Sequence, residues 1–346
     1  MAITTVFGSI GFVARFVIAF VLSLVAVMTV SAQIVKMSEL PSEREFRKAV
    51  KTMMYRTNGH DITPKRLDAM EKVQSVINRF EREEWSAYRK ENDPEKIAEL
   101  ERSGVPYFLR KSFDKVCKEV HKTKVKEGTV AVWLLYNMGY IVKTPTATFG
   151  IDLYSKYTDK LLDVIDFGMI THAHGDHNNK AFTEGMAKRG KPILAAFDIK
   201  NVEEMRVVDG GEYKFGDITV RVTIGDHNKK KLRNFVAAYE IDCGANTNNT
   251  VIYHTGDSCD YTQLNPQKQV DIFMPHMRVG LKIQSCIDKF HPHHVFLSHL
   301  LELGHHITRW RWTFHDALKD KNKLKHDHIW IPCWGERIIY NRNDWK

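Results

Sequence analysis

Cysteine is scarce in this chain, with five among 346 residues, at Cys117, Cys243, Cys259, Cys286 and Cys333. An odd number at wide spacing excludes a disulfide framework and a Cys-x-x-Cys metal site. Buried thiols are the expected role, with a single disulfide left open. No internal repeat is strong enough to argue for a solenoid, and no long low-complexity linker divides the chain. Long apolar runs are lacking too, apart from residues 16–30, which are short for a membrane span. Arg15 precedes this segment and Ser31-Ala32-Gln33 follows it, as in the h-region of a signal peptide with Val30 and Ala32 at −3 and −1. Cleavage is expected after Ala32, and no nearby cysteine makes a lipoprotein site. An exported protein, periplasmic or secreted, follows, and its leader engages the membrane during export. An uncleaved anchor through residues 16–30 is the alternative. Acidic excess is also missing. The formal charge is +9, and a leader with one Arg and no acid leaves +8. That surplus favours anionic substrates or surfaces.

What is present is enough for a packed core, with hydrophobic residues at 43% and aromatics at 11%. Three segments are expected: the leader at 1–32, a helical region at 33–127 and a larger domain at 128–346. Thr63-Pro64 and Asp93-Pro94 each place an N-cap residue before a proline suited to the first helical position. Leu67, Met70, Val73, Val76, Ile77, Phe80 and Tyr88 recur near helical spacing between polar faces. From Gly128 the texture changes. Residues 129–136, 139–143 and 148–153 read as strands, with a break at Pro145. Helical and strand segments then alternate at 180–188, 193–197, 201–205, 218–224, 235–242, 250–254, 270–274 and 295–298. This implies an α/β fold with sheets covered by helices.

The chemistry concentrates in Thr171-His172-Ala173-His174-Gly175-Asp176-His177, directly after the apolar residues 164–170. Histidine and aspartate are poor strand formers, and several packed at one strand end need compensation. A divalent metal supplies it, because neutral imidazole and carboxylate are its preferred ligands. Further ligands should come from later strand ends, where open α/β sheets place their sites. His227, Asp257 and His299 each follow a short β-like run.

Taken together, these residues resemble the metallo-β-lactamase fold superfamily over roughly residues 128–340. The resemblance implies an αββα sandwich, two sheets face to face with helices outside. It assigns His172, His174 and His227 to a first metal, Asp176, His177 and His299 to a second, and Asp257 to both. Two divalent ions, zinc first and manganese or iron as alternatives, would share and acidify a water. Asp176 would ligate and orient this nucleophile. His305 and His306 compete with His299 for the last ligand position; His299 is favoured because it ends the strand. His254 reads as structural. His305, His306 and Tyr261 are candidates for the general acid, with His305 and Asp176 carried forward as catalytic.

Departures from the family's branches narrow the reaction. The bridging aspartate argues against β-lactam hydrolysis. The interval from Asp257 to His299 has no room for the nuclease branch's inserted domain, and that from His177 to His227 lacks the exosite arm of tRNA 3′-end nucleases. His174 stands where flavodiiron oxidoreductases usually carry glutamate. Residues 133–140 and 151–153 are similar to the branch with ascorbate-phosphate lactonases and phospholipase-D-like phosphodiesterases. A small anionic ester, a phosphodiester before a lactone, is the expected substrate, with no nucleic acid. The alternatives are a mononuclear iron thiol dioxygenase and a non-catalytic binding module. Lys229 and Lys230 on one loop, or Arg278 and Lys282 on another, could steer the anion. Arg309-Trp310-Arg311-Trp312 is read as a helix with its tryptophans buried and its arginines exposed.

Overall fold

The computed structural model describes residues 40–199 and 205–345. Of the N-terminal unit, Met1–Ser42, only residues 40–42 are described, so the leader, its apolar segment and the cleavage point lie outside the described residues. Residues Glu43–Lys346 form a second, compact unit. No helix among the described residues is long and apolar enough to cross a membrane.

Five helices open this second unit: α1 (Glu43–Tyr55), α2 (Pro64–Ile77), α3 (Arg82–Lys90), α4 (Pro94–Leu100) and α5 (Gly104–Lys122). The two proline start signals are used as read. Thr63 accepts from the Arg66 amide and Asp93 from the Glu95 amide, satisfying orphan donors of the first turn. Phe46, Val50 and Met53 of α1 join Met70, Val73 and Ile77 of α2 in one buried cluster. Arg66 fastens these helices to the rest. Its guanidinium is fully buried and donates to Glu336 Oε2 at 2.8 Å and to the Ile331 carbonyl at 2.9 Å.

The strands are β1 (Thr129–Tyr136), β2 (Gly139–Lys143), β3 (Thr148–Ile151), β4 (Phe167–Ile170), β5 (Ile193–Ala195), β6 (Met205–Arg206), β7 (Glu212–Phe215), β8 (Ile218–Gly225), β9 (Val236–Asp242), β10 (Val251–His254), β11 (Ile272–Met274), β12 (His294–Phe296), β13 (Ile329–Trp330) and β14 (Arg337–Asn341). One sheet runs β14-β1-β2-β3-β4-β5-β6 and the other β13-β12-β11-β10-β9-β8-β7. Each is part antiparallel and part parallel, turning parallel beyond β3 in the first and beyond β10 in the second. The period-two alternation of β1 explains the layering. Val130, Val132 and Leu134 enter the core shared with the second sheet, whereas Ala131, Trp133 and Leu135 join a separate cluster with Val116 of α5 and with Phe182 and Met186 of α6 (Lys180–Lys188). On the far face of the second sheet, Phe290 of α7 (Ile283–Phe290) packs against Phe273 at 5.4 Å between ring centroids. Tyr239 Oη of β9 reaches across to the β4 carbonyl of Ile170 at 2.7 Å. The expected αββα sandwich is the observed one.

Several details differ from the sequence reading. The strand before the histidine run is only Phe167–Ile170. Of residues 201–205 only Met205 is described, and it opens β6. β7, β13 and β14, together with α7 and α8 (Phe314–Lys321), were not anticipated. Residues 309–312 form no helix; Arg309 is exposed as expected and Trp312 half-buried, but the central pair is inverted, with Trp310 60% exposed and Arg311 3%. The reason is a demand for donors. The Arg311 guanidinium serves the carbonyls of Ile77 and Phe80 at the end of α2, and those of Glu302, Leu303 and His305. Buried carbonyls outside regular structure need such partners, so a charge goes in and an indole comes out.

Candidate metal centre

The seven expected ligands come from four chain segments that end at one edge of the sandwich. His172, His174, Asp176 and His177 follow β4, His227 follows β8, Asp257 follows β10 and His299 follows β12. Two local backbone choices make this convergence fit. Gly256 has φ +50°, and a Cβ there would stand 2.7 Å from Thr171 and from Val236, so only glycine lets the Asp257 turn meet the end of β4. His299 itself adopts φ +63°, a costly conformation for a side chain that the surrounding packing must enforce.

Ligand atoms gather in three overlapping groups within 4.8 Å: His172, His174, His227 and Asp257; Asp176, His177 and His299; and Asp257, His276 and His299. Asp257 sits between the first two. Its Oδ2 lies 3.3 Å from His227 Nε2, while its Oδ1 lies 3.3 Å from His177 Nε2. Asp176 Oδ2 is 3.3 Å from His177 Nε2 and 3.1 Å from His299 Nε2, and it accepts from Asn137 Nδ2 at 3.1 Å. Phe235 packs its ring against those of His174 and His172, at 5.1 and 5.6 Å between centroids.

Asp152, which the sequence reading did not assign to the site, sets the imidazole tautomers. It stands just after β3 at φ +47° and is 1% exposed. Its Oδ2 accepts from His177 Nδ1 at 2.8 Å and from Thr171 Oγ1 at 2.7 Å, and its Oδ1 from the Thr171 amide at 2.8 Å. With its own proton committed to Asp152, Thr171 Oγ1 accepts from His172 Nδ1 at 3.0 Å. Both rings therefore carry their neutral-state proton on Nδ1; His177 turns its Nε2 toward Asp257 at 3.3 Å, while His172 Nε2 lies 3.1 Å from His174 Nδ1 and 3.8 Å from Asp257 Oδ2.

This arrangement fits a cation. His177 Nε2 and Asp257 Oδ1 are buried within ionic distance of each other, yet neither has a hydrogen-bond partner. Lone pairs and carboxylate oxygens facing one another across a buried gap need positive charge between them. The chain alone supplies it as protons. Burial disfavours an imidazolium at His177, but Asp176, Asp257 and Asp152 outweigh it and hold its pKa well above the usual value. His299 is likewise raised, against burial, by Asp257 and Asp176. Burial opposes ionisation of Asp257 and Asp176 too; His177 foremost keeps both well below the usual carboxylate range. Burial, then repulsion from His177, pushes His172 well down, and burial with His227 lowers His174. A divalent ion would replace the protons on His177 and His299.

The remaining candidates divide. His276, which has no role in the sequence analysis, stacks on His299 at 4.0 Å. Its Nδ1 accepts from the Arg278 amide at 2.9 Å, which leaves the proton of the neutral ring on Nε2, facing Asp257. It backs the site rather than offering a lone pair. His254 bonds to the Met138 carbonyl and the Gly256 amide. His305 lies beside the centre, Nδ1 3.1 Å from Glu302 Oε2 and its ring 5.9 Å from that of His299, outside the three ligand groups; His306 meets Arg82 Nη1 at 3.2 Å. Arg278 is engaged in a two-point contact with Asp320 at 3.0 Å, Lys229 pairs with Asp260 at 2.6 Å, and the Lys282 ammonium stands 5.7 Å from the Tyr261 ring. Lys230 is exposed on the same loop as Lys229. The five cysteines are unpaired.

A cleft of about 410 Å³ opens onto this centre, bordered by His174, Gly175 and Asp176 on one side and by Arg82, Trp85 and Arg89 of α3 on another. The helical region thus contributes a wall of the cleft, a role its sequence does not indicate.

No family model and no curated protein matches the chain. Among solved structures it is similar to Igni18, described as a novel metallo hydrolase from the archaeon Ignicoccus hospitalis, at 15% identity and TM-score 0.47, over 61% of this chain and 98% of that one. It is also similar to the metallo-β-lactamase fold protein YhfI from Bacillus subtilis, at 13% identity and TM-score 0.47, over 62% and 99% of the two chains. A third similarity is to CmlA, a diiron β-hydroxylase from Streptomyces venezuelae, at 14% identity and TM-score 0.46, over 63% and 55%.

Proposed function

We propose that the protein is a metal-dependent hydrolase with two divalent ions, acting on a small anionic ester, a phosphodiester before a lactone. The observation that carries this reading is the buried gap between His177 Nε2 and Asp257 Oδ1, two groups without hydrogen-bond partners in the middle of seven potential ligands. His172, His174 and His227 would hold one ion, Asp176, His177 and His299 the other, and Asp257 would face both. Zinc suits this donor set, as do manganese and iron. When bound, such a pair supplies a nucleophilic water acidified toward neutrality and positive charge for the developing oxyanion.

The protein's own groups do the rest. Asp176, steadied by Asn137, orients the attacking oxygen. Asp152 keeps His172 and His177 in the ligating tautomer. His305 is the group to hand a proton to the leaving oxygen, because it stands beside the centre with its Nδ1 at ionic distance, 3.1 Å, from the Glu302 carboxylate. Glu302 is itself fixed through Oε1 by the Gly304 amide at 2.7 Å and Tyr136 Oη at 3.2 Å. A mononuclear iron dioxygenase would use fewer ligands, and its activity would survive loss of His177 or His299. Residues 16–30 support export or anchoring, which N-terminal sequencing of the mature chain decides.

The test is turnover of bis(p-nitrophenyl) phosphate, p-nitrophenyl phosphate and a lactone panel by the full chain supplied with zinc, manganese or ferrous iron. Metal-dependent cleavage of the phosphodiester is expected. Opening of lactones alone would move the assignment to lactonase, and turnover of none would overturn it.

A further inference from the structure

We infer that Arg82 and Arg89 of α3 form an anion subsite of the cleft, receiving a phosphate, sulfonate or carboxylate borne by a part of the ligand remote from the bond being cleaved. Helical spacing makes this a designed-looking stripe. Residues 82, 85 and 89 stand at i, i+3 and i+7 and so share one face, with the two arginines about 10.5 Å apart along the axis. That face borders the same cleft as His174 and Asp176. Between the guanidiniums lies an aromatic surface: Trp85 packs against Tyr154 at 6.1 Å between centroids, and Arg89 lies over both rings, at 5.6 and 5.7 Å.

What distinguishes these two cations is what they lack. Arg278 and Lys229 already hold carboxylates. Arg82 contacts the His306 ring and Arg89 the Tyr154 hydroxyl, and among the described residues neither is paired with a carboxylate. Guanidiniums held against aromatic rings at the rim of a cleft are pre-organised for a planar or tetrahedral oxyanion. The metal-binding side chains would take the ester, the indole and phenol the body of the molecule, and the arginines its distal charge. This division of the cleft rests on the hydrolase reading, whereas the anion subsite itself does not.

The experiment is titration calorimetry of the full, zinc-loaded chain with p-toluenesulfonate, an aromatic anion whose weakly basic oxygens compete poorly for a divalent ion. Wild type should bind, and Arg82→Gln and Arg89→Gln should each weaken binding about fivefold to tenfold, the scale of one lost charged contact at a rim. Lys51→Gln, in the separate basic groove between α1 and α5, should bind as wild type does. Unchanged binding in both arginine variants, weakening confined to Lys51→Gln, or no binding by wild type would overturn the subsite. Arginine-dependent binding without hydrolysis of any ester would leave the subsite standing and remove the hydrolase reading. Hydrolysis with arginine-independent binding would do the reverse.

Discussion

Replacing Asp152 by Asn should weaken metal binding without disturbing the backbone. Asn tolerates the left-handed conformation as well as Asp does, so φ +47° adds no strain. The change instead acts on protons. Asp152 accepts three hydrogen bonds at 2.7–2.8 Å, and the two at Oδ2 come from Thr171 Oγ1 and His177 Nδ1. With Oδ1 kept on the Thr171 amide, an amide NH₂ would stand where Oδ2 was and meet two donors. Relief requires His177 to move its proton to Nε2, which then points at Asp176 and Asp257 and covers the lone pair a metal needs. The same reversal spreads to His172 through Thr171. Loss of such an orienting partner costs 10–100-fold in metal affinity, or about 1.4–2.8 kcal/mol. Zinc affinity is measured by competition against a chromophoric chelator at pH 7.5, with circular dichroism as the check on folding. A folded Asp152→Asn protein with wild-type affinity would refute the tautomer argument.

Other expectations follow from the same contacts. Arg66→Met leaves the carboxylate of Glu336, 3% exposed, without its cation and should cost about 3–5 kcal/mol in urea unfolding; the double change with Glu336→Gln should recover much of it. Burial, then His328, lowers His294 to about 3, so between pH 6.5 and 3 the unfolded chain binds more protons at this site and stability is lost as the pH is lowered. His294→Gln should flatten that part of the stability profile, and an unaltered slope would count against it. His305→Gln should retain full metal content while losing about 10²-fold or more of kcat on alkyl leaving groups, and much less on p-nitrophenoxide, which departs without a proton. Equal losses on both would remove His305 as the acid.

Much of the site was legible because its signals are local. The four potential ligands in His172–His177 lie within six residues, and His227, Asp257 and His299 follow recognisable strands. The αββα layering was likewise carried by the resemblance and by runs such as 129–136. What escaped depends on contacts distant in sequence. Asp152 is one acid between Ile151 and Leu153, and only the fold brings it to His177. His276 ends no anticipated strand, and only the fold stacks it on His299. Charge alone made Arg278 and Lys229 anion candidates, but Asp320 and Asp260 occupy them, while Arg82 and Arg89 reach the cleft from a helix some 90 residues before the histidine run. Arg311 is the clearest miss. Amphipathic spacing put it outside, and the carbonyls of two loops drew it in.

Metal stoichiometry tests the two-ion centre most directly. Elemental analysis of the full chain, equilibrated with zinc and freed of excess, should find two equivalents, falling to about one in His227→Ala and in His299→Ala. One equivalent in the wild-type chain, or unchanged content in both variants, would contradict it.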